Sequence, residues 1–329
     1  MLIFNKLWYA KTRLRWLLWP LSVIYKIIIN IRRLYLIVFK QQHFNIPIIV
    51  VGNLTVGGTG KTPLVIALCR QLSKNNVRVG VVSRGYRAKL NKKIHLVSLT
   101  DQPTLVGDEP LLIRKKTGCP VVIARKRNNA VKYLLNHRDC QVIISDDGLQ
   151  HYALGRRIEI AVIDGIRQFG NGLCFPAGPL REPISRLKKC HFIVIKQIKD
   201  ANNYNLLTDF PTSYFMTFKP GKITNLKTGL TRLPQSFPTP IAAVAGIGCP
   251  EHFFTTLADL GIKHQKYPFV DHYCFKATDL QFIEKTIIMT EKDAIKCQTF
   301  AANSWYFLPI EAQLSETFWQ ALWVQLEIK

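Results

Sequence analysis

The first hundred residues contain no aspartate and no glutamate. They carry 17 lysines and arginines, and the first acid is Asp101. The remaining 229 residues hold 28 basic and 21 acidic side chains, so 17 of the 24 excess positive charges lie in the N-terminal third. Charge this one-sided calls for an anionic partner: a phospholipid surface, a phosphorylated substrate or a nucleic acid. CxxC pairs are also missing. The 8 cysteines are scattered and none is grouped with histidines, which excludes a compact zinc ribbon and a dense disulfide scaffold and fits a reducing compartment. Internal repeats and low-complexity segments are absent. With 48% hydrophobic and 20% charged residues the chain is not a disordered one, and 329 residues suffice for two unequal α/β domains.

Residues 1–40 are basic and apolar together. From Trp16 to Ile31 the chain is almost wholly apolar, broken by Pro20 and Lys26, with Lys11, Arg13 and Arg15 on one flank and Arg32 and Arg33 on the other. Sixteen helical residues extend about 24 Å, short of a hydrocarbon core of about 30 Å, and burying Lys26 is expensive. Trp8, Trp16, Trp19 and Tyr25 suit the headgroup level. The expectation is a helix lying in an anionic interface. A short transmembrane anchor and a helix packed on the protein's own core are the alternatives. No small-x-small cleavage site supports a signal peptide.

Ile46–Val51 is a β-branched run of the kind a buried strand requires, and Gly-Asn-Leu-Thr-Val-Gly-Gly-Thr-Gly-Lys-Thr-Pro follows at 52–63. Gly57, Gly58, Thr59, Gly60, Lys61, Thr62 and Pro63 read as the end of a Walker A loop opening a helix. The glycines let successive N–H groups face phosphate oxygens, and the helix N-terminus adds positive potential. Lys61 reaches the β/γ-phosphates and Thr62 offers its hydroxyl to Mg²⁺. The usual spacing places glycine at 55, where this chain has Thr55. Downstream, an apolar strand at 141–145 ends in Asp146-Asp147-Gly148, where a Walker B carboxylate would sit, so both aspartates are candidate Mg²⁺ ligands.

Six motifs occur in one order: GNLTVGGTGKTP at 52–63, SRGY at 83–86, GDEP at 107–110, DDGLQH at 146–151, GPLREP at 178–183 and TEKDAIK at 290–296. The set resembles the tetraacyldisaccharide 4'-kinase family, the lipid A 4'-kinases of Gram-negative bacteria, over nearly the whole chain. In that family Thr55 is normal. The resemblance implies phosphorylation by ATP of the 4'-hydroxyl of a lipid A disaccharide 1-phosphate precursor, giving lipid IVA, at the cytoplasmic face of the inner membrane. It implies an Asp–His pair for the acceptor proton, mapped here to Asp108 and His272, although the family's DHH reads Asp271-His272-Tyr273. Arg127 and Arg181 look like the family's active-site arginines, with guanidinium groups suited to phosphate. Glu109 would orient the base or a metal-bound water, His151 closes DDGLQH at the site, and residues 290–293 would face the nucleotide. Beyond the lipid precursor and an anionic membrane surface, no obligate protein partner and no nucleic acid is inferred.

Alternating strands and helices predict a P-loop parallel sheet with helices on both faces, plus a smaller α/β domain and the N-terminal membrane-associated helix. The boundaries are 1–40 for the helix, 41–215 for the kinase domain, 216–240 for a connector and 241–329 for the second domain. Strands are predicted at 46–51, 77–83, 121–124, 141–145, 158–163 and 192–196, helices at 62–74, 108–116 and 127–136, and a terminal amphipathic helix at 315–326. His272 and the P-loop then lie on different domains and the site between them, with closure bringing His272 to Asp108. Three competing readings are weaker. A GTPase needs [NT]KxD, and TEKD has Glu291 where the lysine belongs. A nucleic-acid-binding ATPase fits the charge, but the basic third is interleaved with apolar residues and shows no nucleic-acid module. A non-enzymatic membrane scaffold would not retain Lys61, Thr62 and the aspartate pair.

Overall fold

The computed structural model describes residues 8–9, 15–86, 88–89, 93–196, 213–237 and 240–327. The basic residues Lys11 and Arg13, residues 197–212 of the expected kinase domain and residues 238–239 of the expected connector lie outside these.

Helix α1 spans Arg15–Lys40, 26 residues and thus about 39 Å. It is longer than the apolar stretch suggested, because Arg32 and Arg33 are good helix formers and nothing between Pro20 and Lys40 breaks the pattern. Then come β1 (Ile48–Gly52), α2 (Lys61–Lys74), β2 (Val79–Ser83), β3 (Ile94–Leu96), α3 (Asp108–Thr117), β4 (Val121–Ala124), α4 (Arg127–His137), β5 (Val142–Ser145), β6 (Ile158–Asp164), β7 (Phe192–Lys196) and β8 (Ser213–Pro220). The remainder is β9 (Ile223–Asn225), β10 (Thr231–Arg232), β11 (Ile241–Ala245), α5 (Pro250–Asp259), β12 (His264–Pro268), β13 (Ile287–Thr290), α6 (Glu291–Cys297), β14 (Trp305–Leu308), β15 (Ile310–Leu314) and α7 (Glu316–Leu326).

A nine-stranded sheet has the order β15-β8-β7-β6-β1-β5-β2-β4-β3, parallel except at its two edges, where β3 and β15 run antiparallel. Its central strands are buried on both faces, consistent with their Val/Ile-rich sequences. One face packs Leu64, Leu68 and Leu72 of α2 with Leu111 and Ile113 of α3; the other packs Ala130, Val131 and Leu134 of α4. A six-stranded sheet, β10-β9-β14-β13-β11-β12, has its own apolar layers on both faces.

The strand pairing differs from the expected connector and second-domain limits. β8, at 213–220, belongs to the large sheet, while β9 already pairs with β14 in the small one. The chain returns at Pro309, for β15 pairs with β8 and α7 buries Phe318, Leu322 and Leu326 against the large sheet. The two crossings lie side by side, with the Gly221 N–H donating to Pro309 O at 2.8 Å. A polar, proline-punctuated stretch read as linker because β8 sits near the sheet's edge, where half its residues face outward.

Along α1 only Ser22 is buried; Trp16, Ile28 and Phe39 are 60%, 57% and 70% exposed. The Ser22 hydroxyl donates to Cys174 O at 2.8 Å and accepts from the Ala177 N–H at 3.0 Å. Tyr25 donates to Arg181 O at 3.2 Å. Among the described residues no helix is long and apolar enough to cross a membrane.

Candidate active site

β1 and β5 are neighbours in the sheet, so the loops after them open at the same edge, where ligands of parallel α/β sheets bind. After β1 the chain turns through Gly57 and Gly60, both at positive φ (116° and 91°), into α2. Gly60 has a second constraint: a Cβ there would stand 2.9 Å from the Phe218 ring of β8. Among the described residues no atom beyond its chain neighbours lies within 4 Å of a Cβ built on Gly58, so the loop presents an open face at that point. The Asn53 side chain braces the loop, donating to Gly57 O at 3.3 Å and accepting from Lys61 Nζ at 3.1 Å.

Lys61 Nζ also lies 3.3 Å from Asp147 Oδ1, and Arg181 Nη1 is 3.5 Å from Asp147 Oδ2. Burial pushes the Asp147 carboxyl up, but Lys61 and Arg181 outweigh it and hold it at about 2. Asp147 has a left-handed backbone, φ 46°, a conformation that costs a non-glycine residue about 1 kcal/mol or more and recurs at functional sites. Asp146, 1% exposed, is the reverse case: burial, then Glu109 and Asp147, push its carboxyl up to about 7, and its Oδ1 has no hydrogen-bond partner among the described residues. The Thr59 hydroxyl is likewise buried without a partner among the described residues, and Thr62 is buried at the first turn of α2. Orphaned oxygens beside an open glycine loop and a lysine suit a divalent cation and an oxyanion. Thr62, Asp146 and Asp147 are the residues that would hold the cation; Gly57–Thr62 would hold phosphates.

The second constellation starts at Gly107, whose φ of 90° and 3.1 Å Cβ approach to Tyr86 O admit only glycine comfortably. It sets Asp108 and Glu109 in the first turn of α3. His272 comes from the small-sheet unit, also left-handed at φ 59°. Its Nδ1 lies 2.9 and 3.2 Å from the Asp108 oxygens, and its Nε2 lies 3.3 Å from Lys292 Nζ. An ammonium only donates, so Nε2 accepts and Nδ1–H donates to Asp108. Lys292 also sits 3.0 Å from Glu109, 3.5 Å from Asp271 and 3.8 Å from Asp108. Burial pushes Asp108 up, but the His272 hydrogen bond and the Lys292 charge pull it to about 2. Lys292 is placed by the TEKD turn: Thr290 caps α6, and buried Asp293 accepts from the Gly246 N–H at 2.8 Å, while Gly246 O accepts from the His272 N–H at 3.3 Å.

The two constellations face one cleft. A Cβ on Gly248 would stand 3.3 Å from Gly58 N and 3.6 Å from Asp271 Oδ2. Asp108 and His272, expected to meet on closure, are already in contact. Arg181, Glu109, Lys61 and both aspartates gather here. Arg127 and His151 lie behind them: Arg127 is 2% exposed, with its guanidinium on Asp146 O (2.8 Å) and Ala124 O (3.4 Å), and burial pulls it down to about 10. His151, held down to about 4 by burial and nearby arginines, accepts from the Arg127 N–H at 3.2 Å. Arg127 and His151, expected to touch phosphate, thus buttress the Asp146 turn instead: two guanidinium nitrogens rest on main-chain carbonyls, while Arg127 Nε has no partner among the described residues. Sequence reasoning missed Asn53, Gln150, Glu182 and Asp271. Gln150 donates to Asn53 O and Glu182 Oε2, tying DDGLQH and GPLREP to the P-loop; the signal for Asn53, Gln150 and Glu182 is their membership in the ordered motifs, and for Asp271 its place beside His272.

Comparison with known proteins agrees with this geometry. The sequence model described as "LpxK: Tetraacyldisaccharide-1-P 4'-kinase" matches residues 14–327. A tetraacyldisaccharide 4'-kinase of Legionella pneumophila (strain Lens) is 49% identical over 325 residues, covering 99% of this chain and 98% of that one. One from Coxiella burnetii (strain CbuK_Q154) is 43% identical, covering 95% and 92%. Among solved structures, LpxK from Aquifex aeolicus, crystallised in complex with ATP, superposes with a TM-score of 0.78 at 28% identity, covering 95% of this chain and 99% of that one. A phosphate loop facing an Asp–His pair across two sheets, matched along the whole chain, means that this protein belongs to the tetraacyldisaccharide 4'-kinase family.

Proposed function

We propose that this protein transfers the γ-phosphoryl group of ATP to the 4'-hydroxyl of a tetraacylated glucosamine disaccharide 1-phosphate, forming lipid IVA for lipid A, with Mg²⁺ as the metal and the cytoplasmic face of the inner membrane as its place of work. One observation carries the reading: Asp108 and His272, 2.9 Å apart, adjoin Asp271, and a Cβ on Gly248 would touch both that carboxylate and the P-loop amide of Gly58. When bound, Mg²⁺·ATP supplies the phosphoryl group and neutralises part of its own charge. The protein's task is positioning and charge compensation. The Gly57–Thr62 amides and Lys61 orient phosphates. Asp108, ionised and hydrogen-bonded by His272, accepts the acceptor proton. A carboxylate held at about 2 is a weak base, but phosphoryl transfer has a loose transition state in which the proton leaves late. Incubation with γ-labelled ATP and the glycolipid tests the reaction; no labelled lipid would refute it.

Metal dependence follows from the Asp146 turn. Chelation with EDTA and the substitution Asp146→Asn are each expected to lower turnover at least about 100-fold, on the scale of losing one oriented charge-stabilising group. Added Mg²⁺ restores only the chelated wild type. Undiminished turnover in EDTA would remove the cation.

The acceptor's acyl chains keep it in a bilayer, and α1 supplies a surface for one. Its described basic residues are Arg15, Lys26, Arg32, Arg33 and Lys40, each worth on the order of 1 kcal/mol near anionic lipid. Its exposed Trp and Ile side chains add apolar burial. Flotation with phosphatidylglycerol vesicles is expected to show binding that weakens with salt. The pair Ile24→Glu and Ile28→Glu, at residues 53% and 57% exposed, should abolish binding and spare turnover on detergent-dispersed acceptor. Vesicle binding unchanged by the pair would show that α1 is not the contact.

A further inference from the structure

We infer that Arg167 is a further phosphate-binding residue of this kinase, one that contacts the terminal phosphate of bound ATP; this rests on the kinase reading above. Asp164, at the end of β6, turns the chain there: its Oδ1 accepts the N–H groups of Ile166 at 3.1 Å and Arg167 at 3.0 Å. Since β6 adjoins β1, that turn directs Arg167 over the P-loop. Its Nη1 lies 4.0 Å from a Cβ built on Gly57, and its Nη2 donates to Gly248 O at 3.1 Å. The guanidinium carbon stands 5.8 Å from the Tyr9 ring centroid. Arg167 therefore sits at the outer bend of the loop at Gly57, one residue before the open position at Gly58, and bridges to Gly248 of the small-sheet unit.

Its electrostatic state distinguishes it from the other cations of the site. Lys61 and Arg181 share Asp147, Lys292 is ringed by Asp108, Glu109 and Asp271, and Arg127 is buried among carbonyls. Among the described residues Arg167 forms no ion pair, and its guanidinium bonds a single neutral carbonyl. A triphosphate adds about four negative charges to this cleft, and a planar fork with free donors is the group suited to take a terminal phosphate bidentately. The competing account is that Arg167 is only a strut between the sheet units, holding Gly248.

The two accounts differ in which nucleotide feels the loss. Calorimetric titration of full-length Arg167→Ala with Mg²⁺ plus ATP or ADP is expected to show ATP binding weakened about tenfold or more, equivalent to about 1.4 kcal/mol, with ADP binding within about threefold of wild type. Arg167→Lys keeps the charge without the fork and should recover part of the ATP affinity; it also serves if the alanine variant does not fold. Equal weakening for both nucleotides, or none, would overturn the inference. A wild type that binds ATP but phosphorylates no glycolipid would refute the acceptor assignment while leaving the Arg167 result readable; a wild type that binds neither nucleotide would sink both.

Discussion

Replacing Asp108 by Asn is expected to lower kcat between about 10²- and 10⁴-fold, the range for a general base, while KM for ATP stays nearly unchanged. Asn fills the same space and can still accept from His272 Nδ1, so the cleft keeps its shape. What disappears is the anion: no atom remains at 108 to receive the hydroxyl proton, and Lys292 loses one of three carboxylates. The P-loop is untouched, which is why ATP binding should hold. Stability gives an independent check. Because the folded carboxyl lies at about 2 against an ordinary 3.8, ionised Asp108 stabilises the fold above about pH 4, and that contribution is lost as pH falls through about 2. The variant should melt lower at neutral pH, with the gap closing toward acid. His272→Gln, which removes only the partner of the base, should cost less. Steady-state kinetics on detergent-dispersed acceptor decides: kcat within threefold of wild type in Asp108→Asn would remove Asp108 as the base.

The parts of this site that the sequence announced are those built by local chemistry. A glycine loop between an apolar strand and a helix has few alternatives, and the predicted strands at 121–124 and 192–196 coincide with β4 and β7. The same holds for Asp146-Asp147 at the end of β5. What sequence did not announce depends on distant packing. Family resemblance sets Arg127 among the phosphate ligands, and sequence cannot separate an arginine that points outward from one that, as here, points to carbonyls beneath Asp146. Asn53 and Gln150 brace the loop through hydrogen bonds to main chain, and beyond their place in the ordered motifs nothing in their local sequence marks that role. The assignment of 310–326 to the second unit failed for a related reason: β15 pairs with β8 almost a hundred residues earlier. No local period shows such a return, because an edge strand and an amphipathic helix look alike on either core. The Asp108–His272 contact joins residues 164 apart and entered through family resemblance alone.

Lys61→Ala should lower kcat/KM for ATP by about 10²- to 10³-fold, the scale for one lost charge-stabilising donor, and its second effect separates the lysine's two duties. In this structure the ammonium joins Asn53 Oδ1 to Asp147 Oδ1 and helps hold the Asp147 carboxyl at about 2. Removing it leaves Arg181, at 3.5 Å, as the remaining ion-pair partner of Asp147 among the described residues, beside the buried Asp146 carboxyl whose Oδ1 has no partner there. Two carboxylates with one cation between them are costly in a pocket of low dielectric, so the alanine variant should also lose thermal stability. Lys61→Arg keeps the charge but replaces a compact ammonium with a wider planar fork. It should regain most of the stability and little of the activity, since a phosphate loop drawn tight around Asn53 has room for a point donor. Melting temperature and kcat/KM measured on the same pair of variants read the two duties separately. If Lys61→Ala turned over ATP like the wild type, the loop would be a turn that happens to contain a lysine, and the charge that compensates the phosphates would have to come from Arg181 and Arg167 instead.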